Sequence, residues 1–89
     1  MLHIEKVIKV LKIKDDIDLK ELEKYGFNNK YNNNGSYEKV IDYGETIWVD
    51  NDDNTIWLES GMSAIEDEKI LEPLVDDLIK DGIVEKVEE

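Results

Sequence analysis

The chain contains no cysteine and no arginine, and it has a single histidine, a single proline and five separate glycines. Without cysteine there is no disulfide, no thiolate metal site and no thiol nucleophile. One histidine, His3, cannot build a zinc site or a histidine-based catalytic triad alone. The separated glycines form neither a phosphate-binding loop nor a nucleophile elbow. We therefore expect a protein that is not an enzyme and that binds no cofactor and no metal.

Long hydrophobic runs are also missing. No apolar stretch approaches the roughly 18 residues of a membrane helix. The first residues lack the basic start and apolar core of a secretory signal peptide. These features predict a cytoplasmic protein that does not bind membranes. With 89 residues, the chain is long enough for one small domain, 1–89, with a thin core.

Acidic side chains are concentrated in the second part of the chain. Residues 1–40 carry eight lysines and seven acids, whereas residues 41–89 carry three lysines and 16 acids. The second part therefore accounts for the whole net charge of −12. Such a surface repels phosphate and attracts basic proteins, so we expect no direct nucleic-acid binding and a basic protein partner.

The N-terminal third is predicted to form two short helices. Apolar residues recur at the spacing of one helical face, at Ile4, Val7, Ile8 and Leu11. Asp18 is a suitable N-cap, Glu21 has capping-box spacing, and Gly26 can take the left-handed conformation that ends a helix. A second helix is therefore predicted over Asp18–Gly26. The asparagine-rich stretch 28–36 follows as a polar loop.

The centre of the chain is predicted to form a three-stranded antiparallel sheet. A first strand covers residues 37–43, and residues 46–49 and 55–58 form a hairpin around the turn-forming run 50–54. In the expected register Trp48 lies directly opposite Trp57. Because side chains alternate along a strand, the remaining apolar residues share the other face, namely Ile47, Val49, Ile56 and Leu58.

The turn itself has the spacing of part of a calcium loop. Asp50, Asp52 and Asn54 fit the first three ligand positions of an EF-hand, but Thr55 replaces the required glycine and Gly61 the required glutamate. The segment is therefore predicted to be a turn and not a metal site.

The C-terminal third is predicted to form a helix followed by a short edge strand. Ser63 and Glu66 have capping-box spacing, and Pro73 should interrupt the helix and restart it as the first helical residue. Beyond Gly82, the apolar residues around Val84 suit a strand that joins the edge of the sheet. The complete prediction is an α+β fold with two N-terminal helices, a three-stranded sheet, a C-terminal helix and an edge strand.

The tryptophan pair has two interpretations. Trp48 and Trp57 can pack under a helix or loop, or they can lie partly exposed among acids as the anchor of a binding patch. The predicted partner-binding surface combines this pair with the acids around the hairpin and on the C-terminal helix: Asp42, Glu45, Asp50, Asp52, Asp53, Glu59, Asp76, Asp77, Asp81, Trp48 and Trp57.

Two stretches carry a resemblance to a known group of proteins. KIKDDIDLKELEKYGF at residues 12–27 and LIKDGIVEKV at residues 78–87 resemble small uncharacterised proteins encoded by phages and prophages of low-GC Gram-positive bacteria. The similarity covers about a third of the chain and includes no catalytic motif. It implies a small accessory protein acting inside a bacterial host. Acidic phage proteins of this size include DNA-mimic inhibitors of host nucleases.

Three functional hypotheses follow. The first is an acidic protein that binds a basic partner, including the DNA-mimic inhibitor that the resemblance suggests. The second is a structural or homo-oligomeric module that associates through the tryptophan patch. The third is a winged-helix-like DNA-binding regulator, which the negative charge argues against.

Overall fold

The computed structural model describes residues 9–88, and most of its regular structure is strand. The six strands are β1 Lys9–Ile13, β2 Tyr37–Asp42, β3 Glu45–Val49, β4 Ile56–Ser60, β5 Ser63–Ile65 and β6 Val84–Glu88. The helices are the 3-10 helix Leu19–Tyr25, α1 Glu68–Leu71, the 3-10 segment Glu72–Leu74 and α2 Asp76–Lys80. The strands form a four-stranded sheet in the order β2-β3-β4-β5 and a two-stranded sheet of β1 and β6. All neighbouring strands are antiparallel.

The predicted fold with two N-terminal helices and a three-stranded sheet is wrong. The end of the stretch assigned to the first helix is strand β1, which pairs along its whole length with β6 from Lys9 opposite Glu88 to Ile13 opposite Val84. A short apolar run cannot be assigned to helix or strand from periodicity alone. Here the distant partner β6 supplies the hydrogen bonds that make the strand. The pattern's earlier residues, 4–8, lie outside the described part of the chain.

The second predicted helix exists as a 3-10 helix. The Asp18 carboxylate accepts a hydrogen bond from the backbone N–H of Lys20 at 3.0 Å and so caps the first turn. The helix ends at Gly26, whose φ of 91° lies in the left-handed region that suits glycine. The N–H of Phe27 then donates to the Leu22 carbonyl at 3.2 Å, closing the end of the helix.

The central hairpin has the predicted register. Trp48 pairs with Trp57, Ile47 with Leu58, and Val49 with Ile56. Strand β2 lies beside β3 as expected, but β5 adds a fourth strand beyond β4. Ser63, predicted to cap a helix, instead begins β5, because the turn at Gly61 (φ 59°) folds the chain back onto β4.

The C-terminal helical region is divided into three short pieces. Helix α1 starts after Asp67, whose carboxylate accepts from the N–H of Lys69 at 2.9 Å. Pro73 lies in the 3-10 segment, and α2 begins only at Asp76. The predicted break at the proline is correct, and the chain restarts there as a 3-10 turn with Pro73 among its first residues, not as an α-helix. Strand β6 is also present, although it pairs with β1 and not with the edge of the hairpin sheet.

The core lies between the four-stranded sheet and a second layer formed by β1 and the helical segments. The sheet contributes Ile47, Val49, Ile56 and Leu58, and the second layer contributes residues that include Leu11, Ile13, Leu22, Leu71, Val75 and Leu78. The layers are joined where the N–H of Ile13 donates to the Asn54 carbonyl at 3.0 Å. Within residues 9–88, no helix has the length and apolar character needed to cross a membrane.

Candidate partner-binding site

The four-stranded sheet has one face toward the core and another, which we call the outer face, directed away from it. The strand register places on the outer face Glu38, Val40, Thr46, Trp48, Trp57, Glu59 and Ala64. Neither tryptophan belongs to the core or to the hydrophobic residues packed against it. This set contains no lysine, and Val40 is 69% exposed. The outer face therefore combines apolar and aromatic surface with negative charge only.

The two tryptophans form a stacked pair at the centre of the outer face. Their ring centroids are 5.9 Å apart and the ring planes are inclined by 14°. Both side chains are half-buried, so each keeps some surface for contact with another molecule. The pair is therefore neither covered as core residues are nor fully exposed to solvent.

Each indole N–H is bound by a carboxylate of the opposite strand. The Trp48 Nε1–H donates to Glu59 Oε1 at 3.1 Å, and the Trp57 Nε1–H donates to Asp50 Oδ1 at 3.0 Å. The arrangement is nearly symmetric, since each acid stands two residues after the tryptophan of its own segment. These bonds hold the indoles in place and leave a carboxylate at each end of the stack.

Sequence reasoning placed these four residues in one patch, with Trp48 opposite Trp57, but missed the hydrogen bond from each indole to the acid of the opposite segment. The signal is a repeated triplet of tryptophan, aliphatic residue and acid, at 48–50 and at 57–59. In a hairpin with Trp48 opposite Trp57, this repeat sets each acid diagonally opposite the other strand's indole. Glu38 was also missed; it lies directly opposite Trp48 on β2 and is half-buried on the outer face.

The turn between β3 and β4 brings three predicted site acids together. The carboxylates of Asp50, Asp52 and Asp53 lie within 4.8 Å of one another. Asp50 is half-buried and the other two are exposed, and the Asp53 carboxylate accepts from the Thr55 N–H at 3.0 Å. Carboxylate oxygens are ligands that calcium prefers, but these acids are also ordinary turn formers. Their clear effect is to add negative charge beside Trp57.

Asp42 and Glu45 lie at the other end of the sheet and not beside the tryptophans. They flank the β2–β3 turn, where the Asp42 carboxylate accepts from the N–H of Tyr43 at 2.7 Å. Glu45 alternates in phase with Ile47, so it belongs to the opposite face of β3 from Trp48. The expectation that these acids surround the tryptophan pair is therefore wrong.

The acids of the C-terminal helix belong to the layer opposite the outer face. Asp76, Asp77 and Asp81 are exposed on and next to α2, whose Leu78 packs into the core from the far side of the sheet. Asp76 pairs with Lys80 at 2.9 Å. The hydroxyl of Tyr25 donates to Asp81, and this hydrogen bond is the main reason that the pKa of Tyr25 is raised.

Lysines also neutralise part of that layer. Lys86 forms ion pairs with Glu72 at 2.6 Å and with Glu68 at 3.2 Å, and these contacts, that with Glu72 first, raise the pKa of Lys86. The predicted surface thus separates into three groups: the residues around the tryptophan pair, Asp42 and Glu45 at the β2–β3 turn, and the acids of α2. Only the group around Trp48 and Trp57 joins aromatic surface to carboxylates without a lysine among them.

A scan against protein-family models, a search of curated proteins and a search of solved structures each found no match to this chain. The interpretation of the outer face therefore depends on its own geometry and charge.

Proposed function

We propose that this protein binds a basic protein partner through the outer face of its four-stranded sheet. The observation that carries this proposal is the stacked pair of Trp48 and Trp57, half-exposed and held at both ends by carboxylates. Tryptophans at the centre of a patch are the residues that most often dominate the binding energy of protein interfaces. The surrounding acids select a partner of opposite charge.

The net charge of −12 adds a kinetic contribution. A strongly negative surface raises the rate at which basic partners collide productively, and this effect weakens as salt screens the charges. Aromatic contacts are much less sensitive to salt. A complex on the outer face should therefore form more slowly at high salt but retain part of its affinity.

Self-association through the same patch is less well supported. Two copies stacked face to face would bring together Glu38, Asp50 and Glu59 of both chains without any lysine from the outer face to pair with them. Like charges opposed in this way cost free energy. The homo-oligomeric alternative therefore lacks the complementarity that a basic partner would have.

The DNA-mimic form of the first hypothesis and the winged-helix hypothesis also lose support. A DNA mimic needs its acids in one array, whereas the predicted acids lie on the outer face, at the far turn of the sheet and around α2 in the other layer. A winged-helix regulator needs a recognition helix in the major groove. The longest helix among residues 9–88 is the seven-residue 3-10 helix Leu19–Tyr25, whose two lysines are balanced by two glutamates, so it has no net positive charge. An accessory role in the cytoplasm of a bacterial host remains a hypothesis.

The proposal is tested by comparing two double variants of the same net charge. The variant Asp50→Asn with Glu59→Gln removes the charges of the two acids that bind the indoles but keeps an oxygen acceptor for each indole N–H. The matched control, Asp76→Asn with Asp77→Asn, removes two charges from α2. Each protein is immobilised, exposed to a bacterial lysate at low salt, and the retained proteins are identified by mass spectrometry.

We expect basic proteins that the unmodified chain retains to be retained by the α2 control and lost from the outer-face variant. Equal retention by all three proteins, or loss from the α2 control alone, would show that the outer face does not bind the partner.

A further inference from the structure

Each carboxylate that accepts a hydrogen bond from an indole uses only one of its two oxygens for that bond. Glu59 accepts from Trp48 through Oε1, and Asp50 accepts from Trp57 through Oδ1. Within residues 9–88, the second carboxylate oxygen of these two acids makes no hydrogen bond or ion pair. Each end of the aromatic stack thus presents an indole ring beside an unused anionic acceptor.

Further acids lie near each tryptophan. Glu38 lies opposite Trp48 on the neighbouring strand, and the Asp52 and Asp53 carboxylates lie within 4.8 Å of the Asp50 carboxylate. The indole faces are themselves electron-rich and attract cations. We propose that the outer face recognises two arginine side chains of its partner, one at each end of the tryptophan stack. This inference rests on the proposed function and specifies the chemistry of the partner.

Arginine fits this arrangement better than lysine for two physical reasons. Its planar guanidinium can stack on an indole face while its N–H groups, which lie in the guanidinium's own plane, donate to a carboxylate beside the indole. A lysine ammonium is a compact, strongly hydrated charge that can make the ion pair but cannot stack. Both partners of the guanidinium, an indole and a carboxylate with a free oxygen, are adjacent at each end of the stack.

The strand geometry also sets the spacing of the two arginines. Glu59 lies opposite Thr46 of β3, and Asp50 comes four residues after Thr46, directly beyond the end of β3. At about 3.3 Å per residue, these positions are separated by about 13 Å along the sheet. Residues i and i+4 of an extended segment lie on one face at that same separation. The residue between them, i+2, would contact the tryptophan pair.

The test uses the full chain labelled with nitrogen-15 and three blocked peptides. The first contains Arg-Thr-Val-Thr-Arg, the second replaces both arginines by lysine, and the third has the same composition as the first in the order Arg-Thr-Val-Arg-Thr. The third places its arginines on opposite faces of an extended chain. The indole N–H signals of Trp48 and Trp57 report binding at the two ends of the stack.

We expect the first peptide to shift both indole signals and to bind about three- to fivefold more tightly than the other two, which is the range of an exposed cation–π contact. Glu59→Gln should lower the affinity of the protein for the first peptide, and the control Asp76→Asn should leave that affinity unchanged. Equal affinity for the arginine and lysine peptides, equal affinity for the two spacings, or unchanged indole signals would each overturn the arginine assignment.

The outcomes separate this inference from the proposed function. If arginine and lysine peptides bind equally and shift both indoles, the selectivity for arginine is wrong and a basic partner on the outer face is still supported. If the Asp50→Asn and Glu59→Gln variant retains every partner from the lysate, the proposed function itself is wrong.

Discussion

At the scale of single residues, Tyr25 connects two distant parts of the chain. Its hydroxyl donates to Asp81, which is 56 positions further along the sequence. That hydrogen bond, followed by desolvation and the charges of Asp81, Asp77 and Glu21, raises the pKa of Tyr25. Acids from both halves of the sequence therefore meet around one phenol, although composition had placed the net negative charge in the second half alone.

Replacing Asp81 by asparagine should lower the pKa of Tyr25 toward its ordinary value of 10.0, because the main cause of the upward shift is removed. The phenol is followed by carbon-13 NMR of its Cζ atom as a function of pH. Asp76→Asn is the matched control, because Asp76 is not among the causes of the shift. An unchanged Tyr25 pKa in Asp81→Asn would contradict the contact.

The raised pKa of Tyr25 makes the stability of the fold decrease at alkaline pH. Because the folded pKa is above the unfolded value, the folded state holds the proton more tightly. The stabilising contribution is complete below the unfolded pKa and is lost as the pH rises through the raised folded pKa. In Asp81→Asn the Tyr25 pKa is closer to its unfolded value, so the free energy of unfolding should decrease less as the pH rises through the Tyr25 pKa.

At the scale of elements, the β3–β4 hairpin follows from its local sequence. A run of turn formers separates two segments rich in β-branched and aromatic residues, and the alternation of each segment specifies which face is apolar. The stacked Trp48 and Trp57 occupy a directly opposed pair of positions at the centre of this hairpin. Their interaction should therefore stabilise the hairpin measurably.

A double-mutant cycle with Trp48→Thr and Trp57→Thr should give a coupling free energy of about 0.5–1.5 kcal/mol, the range for aromatic pairs. Unfolding in urea provides the four stabilities. As the control cycle, Trp57→Thr is combined with Val40→Thr on β2, two strands away, and the effects should add within about 0.5 kcal/mol. Equal coupling in the two cycles would mean that the stack contributes nothing specific.

At the scale of the whole molecule, the pairing of β1 with β6 joins the beginning of the described chain to its end. Five residue pairs connect the strands, and Leu11 and Ile13 of β1 are fully buried in the core. The other backbone contacts of β1 are few. The Ile13 N–H donates to the Asn54 carbonyl, the Asn54 side-chain amide donates to the Ile13 carbonyl, and Lys12 forms an isolated bridge with Thr55. Among the described residues, β6 is the only strand that pairs with β1 along its length. The second layer of the core therefore depends on β6.

A chain ending at Ile83 should lose cooperative unfolding, because the stability of a small domain is only about 5–15 kcal/mol and this deletion removes every β6 partner of β1. The control ends at Val87 and retains four of the five pairs. Circular dichroism during urea unfolding distinguishes them. A cooperative transition for the shorter chain at the same urea concentration as for the control would contradict this role of β6.

Several features of this protein follow from local sequence. The hairpin register, the loop that begins at Asn28 and the ends of the helix between Asp18 and Gly26 were predictable, because turn formers, caps and alternation act over a few residues. The same local pattern placed Trp48 and Trp57 opposite each other. It also brought Asp50 and Glu59 into the candidate site, although the diagonal hydrogen bonds to the indoles were not foreseen.

The tertiary structure decided the rest. Lys9–Ile13 is a strand because β6, more than 70 residues away, pairs with it, and Ser63–Ile65 is a strand because the turn at Gly61 returns it to β4. The tertiary structure likewise decides which acids lie near the tryptophans, because an acid must be on the outer face of the four-stranded sheet and not in the second layer. Glu38 joins them from another strand, whereas Asp42, Glu45 and the α2 acids do not. Contacts between distant residues cannot be read from local periodicity, because their partners are set only when the layers pack.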